Sequence, residues 1–190
     1  MDVFYVIIRQ FMQIRFLKKL LCLIVAVALA SAAREILPPL WGGVKAPALF
    51  AVAAYYAVRR EAGWGLAAAI WCGVMQDALD GLGWAFGAPL FAGFWALCVF
   101  VVKKQMPDDA RTCAAAALAL AVTHDVVAIV ALRSADFTAG IGAGQFAVRV
   151  ATLIPAAALA AFAVNYLARR ADMAMGNINE EKFTQSYETL

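Results

Sequence analysis

Six apolar runs, over residues 18–34, 44–59, 63–80, 84–102, 112–132 and 148–168, follow one another with little between them except charged, proline-bearing or glycine-bearing turns. A helix needs about 20 mostly apolar residues to cross the hydrocarbon core of a bilayer, with about 17–25 tolerated, and runs of this length in series leave few ways to fold in water. Of the 190 residues, 65% are hydrophobic and 15% charged, against roughly 45–50% and about 25% in a soluble domain. Too few charges remain to cover so apolar a surface. The expectation is an all-α polytopic membrane protein, a bundle of six transmembrane helices with five as the alternative count. The second run is the weakest. Pro38, Pro39, Gly42, Gly43 and Pro47 crowd its start and leave about four turns from Ala46 to Val58.

Basic residues set the orientation. With the N-terminus cytoplasmic, twelve of the 16 fall on the inner side and four, Arg34, Lys45, Arg133 and Arg149, on the outer side, as six spans with both termini inside require. Residues 1–17 carry Phe4, Ile7, Ile8, Phe11, Met12 and Ile14 at near-helical spacing between Arg9 and Arg15, a pattern suited to an interfacial helix on the cytoplasmic leaflet. Lys18, Lys19, the following apolar run and Ala30-Ser31-Ala32 also fit a cleavable signal peptide, though the stretch before the run is long for one. Residues 18–170 form the bundle, and 171–190 read as a polar, disordered tail. Cys22, Cys72, Cys98 and Cys113 are far apart and lie in or beside apolar runs, so they read as buried small hydrophobes. No basic run with interleaved aromatics points to nucleic acid. Trp41, Trp64 and Trp84 fall where interfacial anchors to membrane lipid are expected.

Against this background the stretch GVMQDALDGLG stands out. Insertion scales put the cost of a charge at mid-span near about 2.5–3.5 kcal/mol, which makes each intramembrane ionisable residue a functional candidate. Four qualify: Asp77, Asp80, His124 and Asp125. Asp77 lies about 20 Å along the third run and His124 about 18 Å along the fifth, so they share a depth. Asp77 and Asp80 project from one helix face. Hydrogen bonds from His124, or pairing with Arg34 or Arg149, are the expected ways to satisfy them, and the cluster reads as a surface that docks helices or a partner. His124 beside Asp125 admits a proton relay, but neighbours on a helix point apart and structural hydrogen bonding is the preferred reading. Gly73, Gly81, Gly83 and Gly87 suit close helix packing, and Pro155 should bend the sixth helix where protein covers its backbone or the backbone adjusts locally.

The string D-x-x-D-G is similar to the start of the metal motif of CDP-alcohol phosphatidyltransferases, but the next run, Ala85 to Val102, holds no acid. Half the carboxylates such a site needs are therefore missing. No catalytic residue, metal ligand set or cofactor fingerprint is found, and the chain reads as a non-enzyme.

The order of features resembles the rod shape-determining MreD family over roughly residues 40–170: APALFAVAAYYAV, then a span ending G-x-x-x-D at Gly73 and Asp77, a glycine turn from Gly81 to Gly87 leading to PLFAGFWAL, VTHDVVAIV with Asp125, and LIPAAALAAFAVNYLARR. The amphipathic N-terminus, Asp80 and the tail depart from that pattern. The resemblance implies a multi-pass protein of the bacterial inner membrane that acts without catalysis. Its partners would be a bitopic MreC-like protein, a SEDS glycosyltransferase, a class B penicillin-binding protein and an MreB-like filament, in the complex for lateral wall synthesis. The competing reading is a substrate-binding subunit of an energy-coupling-factor transporter, also small, alanine-rich and six-spanned. Trp41, Trp84, Asp77 and His124 would then line an outward pocket.

Overall fold

The computed structural model describes residues 2–81, 86–102, 105–106, 109–134 and 143–176, with side chains placed within 13–130 and 144–176 of that set. The described residues are helical, without a strand. α1 spans Asp2–Ile36, α2 Ala48–Arg59, α3 Ala62–Asp80, α4 Gly87–Leu97, α5 Ala110–Ser134 and α6 Ala143–Ala174. A short 3-10 turn, Trp41–Gly43, lies between α1 and α2, and a π-helical turn, Cys98–Val102, extends α4. Three helical stretches, Gln13–Ile36, Ala110–Val130 and Gly144–Ala174, are long and apolar enough to cross a bilayer. The chain is an all-α membrane protein.

Local chemistry explains the boundaries. Pro38 and Pro39 follow the end of α1, and α2 starts directly after Pro47, since a proline stops a preceding helix and is tolerated where a new one begins. Gly81 ends α3 in the left-handed conformation, φ 65°, which glycine adopts without steric penalty. Pro89 sits in the first turn of α4, where the missing N–H would have had no intrahelical acceptor. Asp109 caps α5: its Oδ1 accepts the Thr112 N–H at 2.7 Å, and that bond holds its carboxyl below the usual range.

α2 is the centre of the bundle. Every residue from Ala48 to Val58 is buried, so a helix only 12 residues long, about 18 Å, is wrapped by protein along its length. Leu23 and Val27 of α1, Ala68 and Cys72 of α3, Phe91 of α4, Leu120 of α5 and Leu153 of α6 complete the larger core cluster around it. All four cysteines are buried and none is in a disulfide.

Several boundaries differ from expectation. α1 runs unbroken from Asp2, so residues 1–17 are not set off from the first span by a break in the helix; the side chains of the first twelve residues lie outside the described ones. α2 holds three turns, because Ala46 and Pro47 remain outside the helix. α6 continues past Arg170 to Ala174 and Asp172 is buried, so the polar tail starts later than residue 171; residues 177–190 lie outside the described ones. Pro155 lies within α6, but it and Ala151 face outward. Of the two ways expected to make the proline tolerable, cover by protein or local adjustment of the backbone, the outward placement leaves the second.

Candidate functional site

The ends of α1, α3 and α5 meet the starts of α2, α4 and α6 at one end of the bundle. The acids expected within the membrane from sequence gather there, and each takes a different partner.

Asp77 joins α3 to α4. Its Oδ2 accepts the N–H of Gly87 at 2.8 Å, so a carboxylate from one helix sits at the positive end of the next, where N–H groups lack intrahelical acceptors. The approach needs glycine on both sides. A Cβ on Gly73 would lie 2.7 Å from Ala88 Cα, and one on Gly87 2.6 Å from Asp77 Oδ1 and 2.7 Å from the Gly73 carbonyl oxygen. Gly73 and Gly87 thus have the packing role expected of them. Gly81 does not: nothing lies within 4 Å of its would-be Cβ, and its positive φ makes it a helix terminator. Gly83 and Trp84 lie outside the described residues.

Asp80, one turn further along α3, leaves Asp77 and pairs with Arg34 at the end of α1. Gln76 donates to its other oxygen at 2.8 Å, and Arg34 also donates to the Gln76 carbonyl at 3.3 Å. Arg34 is 4% exposed, an arginine that burial permits only with a partner. Asp125 of α5 is held by Arg149 of α6 through Nε at 2.7 Å and Nη2 at 3.2 Å, the two-pronged geometry that suits a guanidinium to a carboxylate. The pairing of Asp80 with Arg34 is one of the options expected from sequence, whereas Arg149, expected as a partner of Asp77 or Asp80, pairs with Asp125 instead. His124 takes no part in this pairing. Its ring, 3% exposed, stacks on Phe86 at 5.3 Å and meets Phe50 edge-on at 5.2 Å, so the expected His124 bond to Asp77 or Asp80 is replaced by an aromatic cage. His124 and Asp125 point apart, as adjacent helical residues must.

Between these pairs lies a half-open cavity of about 280 Å³, walled by Arg34, Gln76, Asp80, Asp125, Arg149 and the aromatic floor of Phe50 and His124. The segment Gly43 to Ala46 closes one side. It is seated there by Gly42, φ 71°, whose would-be Cβ lies 3.1 Å from Arg149 Cα. Of the residues expected to line an outward pocket, His124 does so. Asp77 does not line the cavity, nor does Trp41, which is exposed. Among the described residues no group of His, Cys, Asp or Glu is placed to hold a metal ion.

A second polar knot occupies the opposite end and was not foreseen. Asp172 of α6, 1% exposed, accepts the Tyr55 hydroxyl at 2.7 Å and pairs with Arg60. Lys18 donates to the Met175 carbonyl at 3.3 Å beside it, tying α1 to the end of α6. Sequence held one signal for this knot: a tyrosine and an aspartate, each at the apolar edge of a basic cluster. Gln76 was also missed, although its position four residues before Asp80 places the two on one face.

No family model matches the chain, and neither a curated protein nor a solved structure matches it.

Proposed function

We propose that the chain is a non-catalytic component of a bacterial wall-elongation complex of the MreD kind. It would cross the inner membrane six times, with the Arg60 end in the cytoplasm, and bind an MreC-like bitopic partner. The observation that carries this reading is the joint at Asp77. The G-x-x-x-D segment of α3 and Gly87 at the start of α4, both part of the pattern on which the resemblance rests, are locked together by one carboxylate and two glycines. Such a joint fixes the orientation of α4 and gives a partner helix a rigid face to pack against. The acids serve this role from within. Each has a partner within its own chain, so the docking face is shaped by Asp77, Asp80, His124 and Asp125 rather than made of their exposed charges.

The test is a pair of substitutions in a rod-shaped bacterium that depends on this gene. Asp77→Ala removes the acceptor at the start of α4 and is expected to give rounded cells and loss of the co-purified MreC-like protein, with membrane insertion intact. Asp77→Asn keeps an oxygen for the Gly87 N–H and is expected to restore shape and recovery in large part. Normal rods and full partner recovery with Asp77→Ala overturn the reading.

The charged cavity favours a second reading, the substrate-binding subunit of an energy-coupling-factor type transporter. Genes for a pair of ATPases beside this one support it, whereas a neighbouring gene for a coiled-coil, single-span protein supports the first.

A further inference from the structure

We propose that the cavity at the Arg34 end binds a small carboxylate that carries a hydroxyl or ammonium donor and a short apolar side chain, an α-hydroxy or α-amino acid. The inference rests on what the ion pairs leave unused. Both oxygens of Asp80 are taken, one by Arg34 and one by Gln76, and both oxygens of Asp125 are taken by Arg149. Each carboxylate is already neutralised by an arginine and each of its oxygens already accepts a hydrogen bond, so they offer a cation little.

Unspent capacity lies elsewhere. Arg149 uses Nε and Nη2 on Asp125, which leaves Nη1 for an incoming acceptor. Gln76, 4% exposed, has a buried Oε1 with no partner among the described residues, and so does the Nε2 of His124. Buried polar atoms in folded proteins are nearly always satisfied, and exceptions at a cavity wall mark places where something else binds. A carboxylate answers the arginine, and a hydroxyl or ammonium on the neighbouring carbon answers the amide oxygen.

The cavity wall carries Arg34, Arg149 and Lys45 against Asp80 and Asp125, and Lys45 is paired with Glu35 just outside it at 2.8 Å, so the charges nearly balance and what draws an anionic group is the spare guanidinium donor of Arg149. Size agrees. The cavity volume of about 280 Å³ falls just under the roughly 300–1,000 Å³ of pockets for drug-sized ligands, so the occupant has few heavy atoms. Phe50, Ala128 and Leu153 supply the apolar side.

This site does not depend on the assembly role. The full chain, reconstituted in nanodiscs, is titrated calorimetrically with L-alanine, D-alanine, L-lactate, propionate and choline. Saturable one-site binding of an alanine or of lactate is expected, with propionate about tenfold weaker for want of the donor and choline silent. Binding of alanine alone marks the ammonium as the donor, and binding of lactate marks the hydroxyl; either supports the site. Gln76→Leu is expected to bring the preferred ligand down to the level of propionate. Ala128→Phe fills the cavity without touching an ion pair and is expected to abolish binding. Ala46→Leu fills it from the opposite side and replaces Ala128→Phe if that variant melts early.

Three results overturn the proposal: no carboxylate binds at millimolar concentration, choline binds more tightly than alanine and lactate, or a folded cavity-filled variant binds as the wild type does. Any of them, alongside rounding of the Asp77→Ala cells, leaves the assembly reading in place.

Discussion

The two ends of the bundle use the same chemistry, arginine against aspartate, to opposite effect. At the Arg60 end the pair is sealed, with the Asp172 side chain 2% exposed and a tyrosine closing it. At the Arg34 end two such pairs stand apart around a cavity, with Arg149 about one-third exposed. A closed pair is a clamp: its burial cost is offset by the close contact of the two charges and by the hydroxyl that joins them. The open pair of Arg149 with Asp125 holds charge in place at modest cost and keeps a spare donor facing the space, although its neighbour Arg34 is itself buried against Asp80. The difference lies in packing rather than residue type.

The sharpest way to break that contrast is to remove one acid or base at each end. Asp172→Ala breaks a buried pair and should cost about 3–5 kcal/mol, seen as a large fall in the melting temperature of the purified protein. Arg149→Ala breaks a partly exposed pair and should cost about 1 kcal/mol or less. Equal losses at the two ends would contradict the division into clamp and site.

A middle-sized effect tests whether the open end is kept in shape by backbone contact. Gly87→Ala forces a Cβ against Asp77 and the Gly73 carbonyl and should cost about 1–3 kcal/mol by overpacking. Gly81→Ala, in open space but at positive φ, should cost about 1–2 kcal/mol through backbone strain alone. Thermal melts of the two variants in one detergent compare them directly.

The smallest effect separates burial from position. Glu61 lies at the same end as Asp172 but is 72% exposed, and its hydrogen bond from Lys19 at 2.6 Å holds its carboxyl below the ordinary 4.5. With the folded pKa depressed, its contribution is fully present above pH 4.5 and is lost as pH falls through the folded value. Glu61→Gln should therefore lower the melting temperature slightly at neutral pH and leave it unchanged at the acid end, which flattens the acid limb of the profile. A large shift at neutral pH would mean that the end of the bundle, not exposure, sets the strength of its pairs.

Much of the fold was legible residue by residue. The lengths of the apolar runs located the helices, the prolines and Gly81 marked where three of them stop or start, and the depth of Asp77 and His124 placed the polar residues at one level. Gly73 and Gly87 could be read as a close approach because a small residue at an apolar helix face has few other uses. The same reading erred at Asp172. A polar residue after Arg169 and Arg170 looks solvated in sequence, and only Tyr55, 117 residues away, makes its burial tolerable.

Sequence by itself determined that this chain is helical and apolar as membrane proteins are, and that acids within its apolar runs need partners. Transfer free energies and helical periodicity are properties of single residues and their near neighbours. Only the tertiary structure decided that Asp77 goes to a helix start, Asp80 to Arg34 and Asp125 to Arg149, and that a cavity remains between the last two pairs. Those outcomes depend on the relative rotation and depth of helices far apart in the chain. A void among them belongs to no segment of sequence.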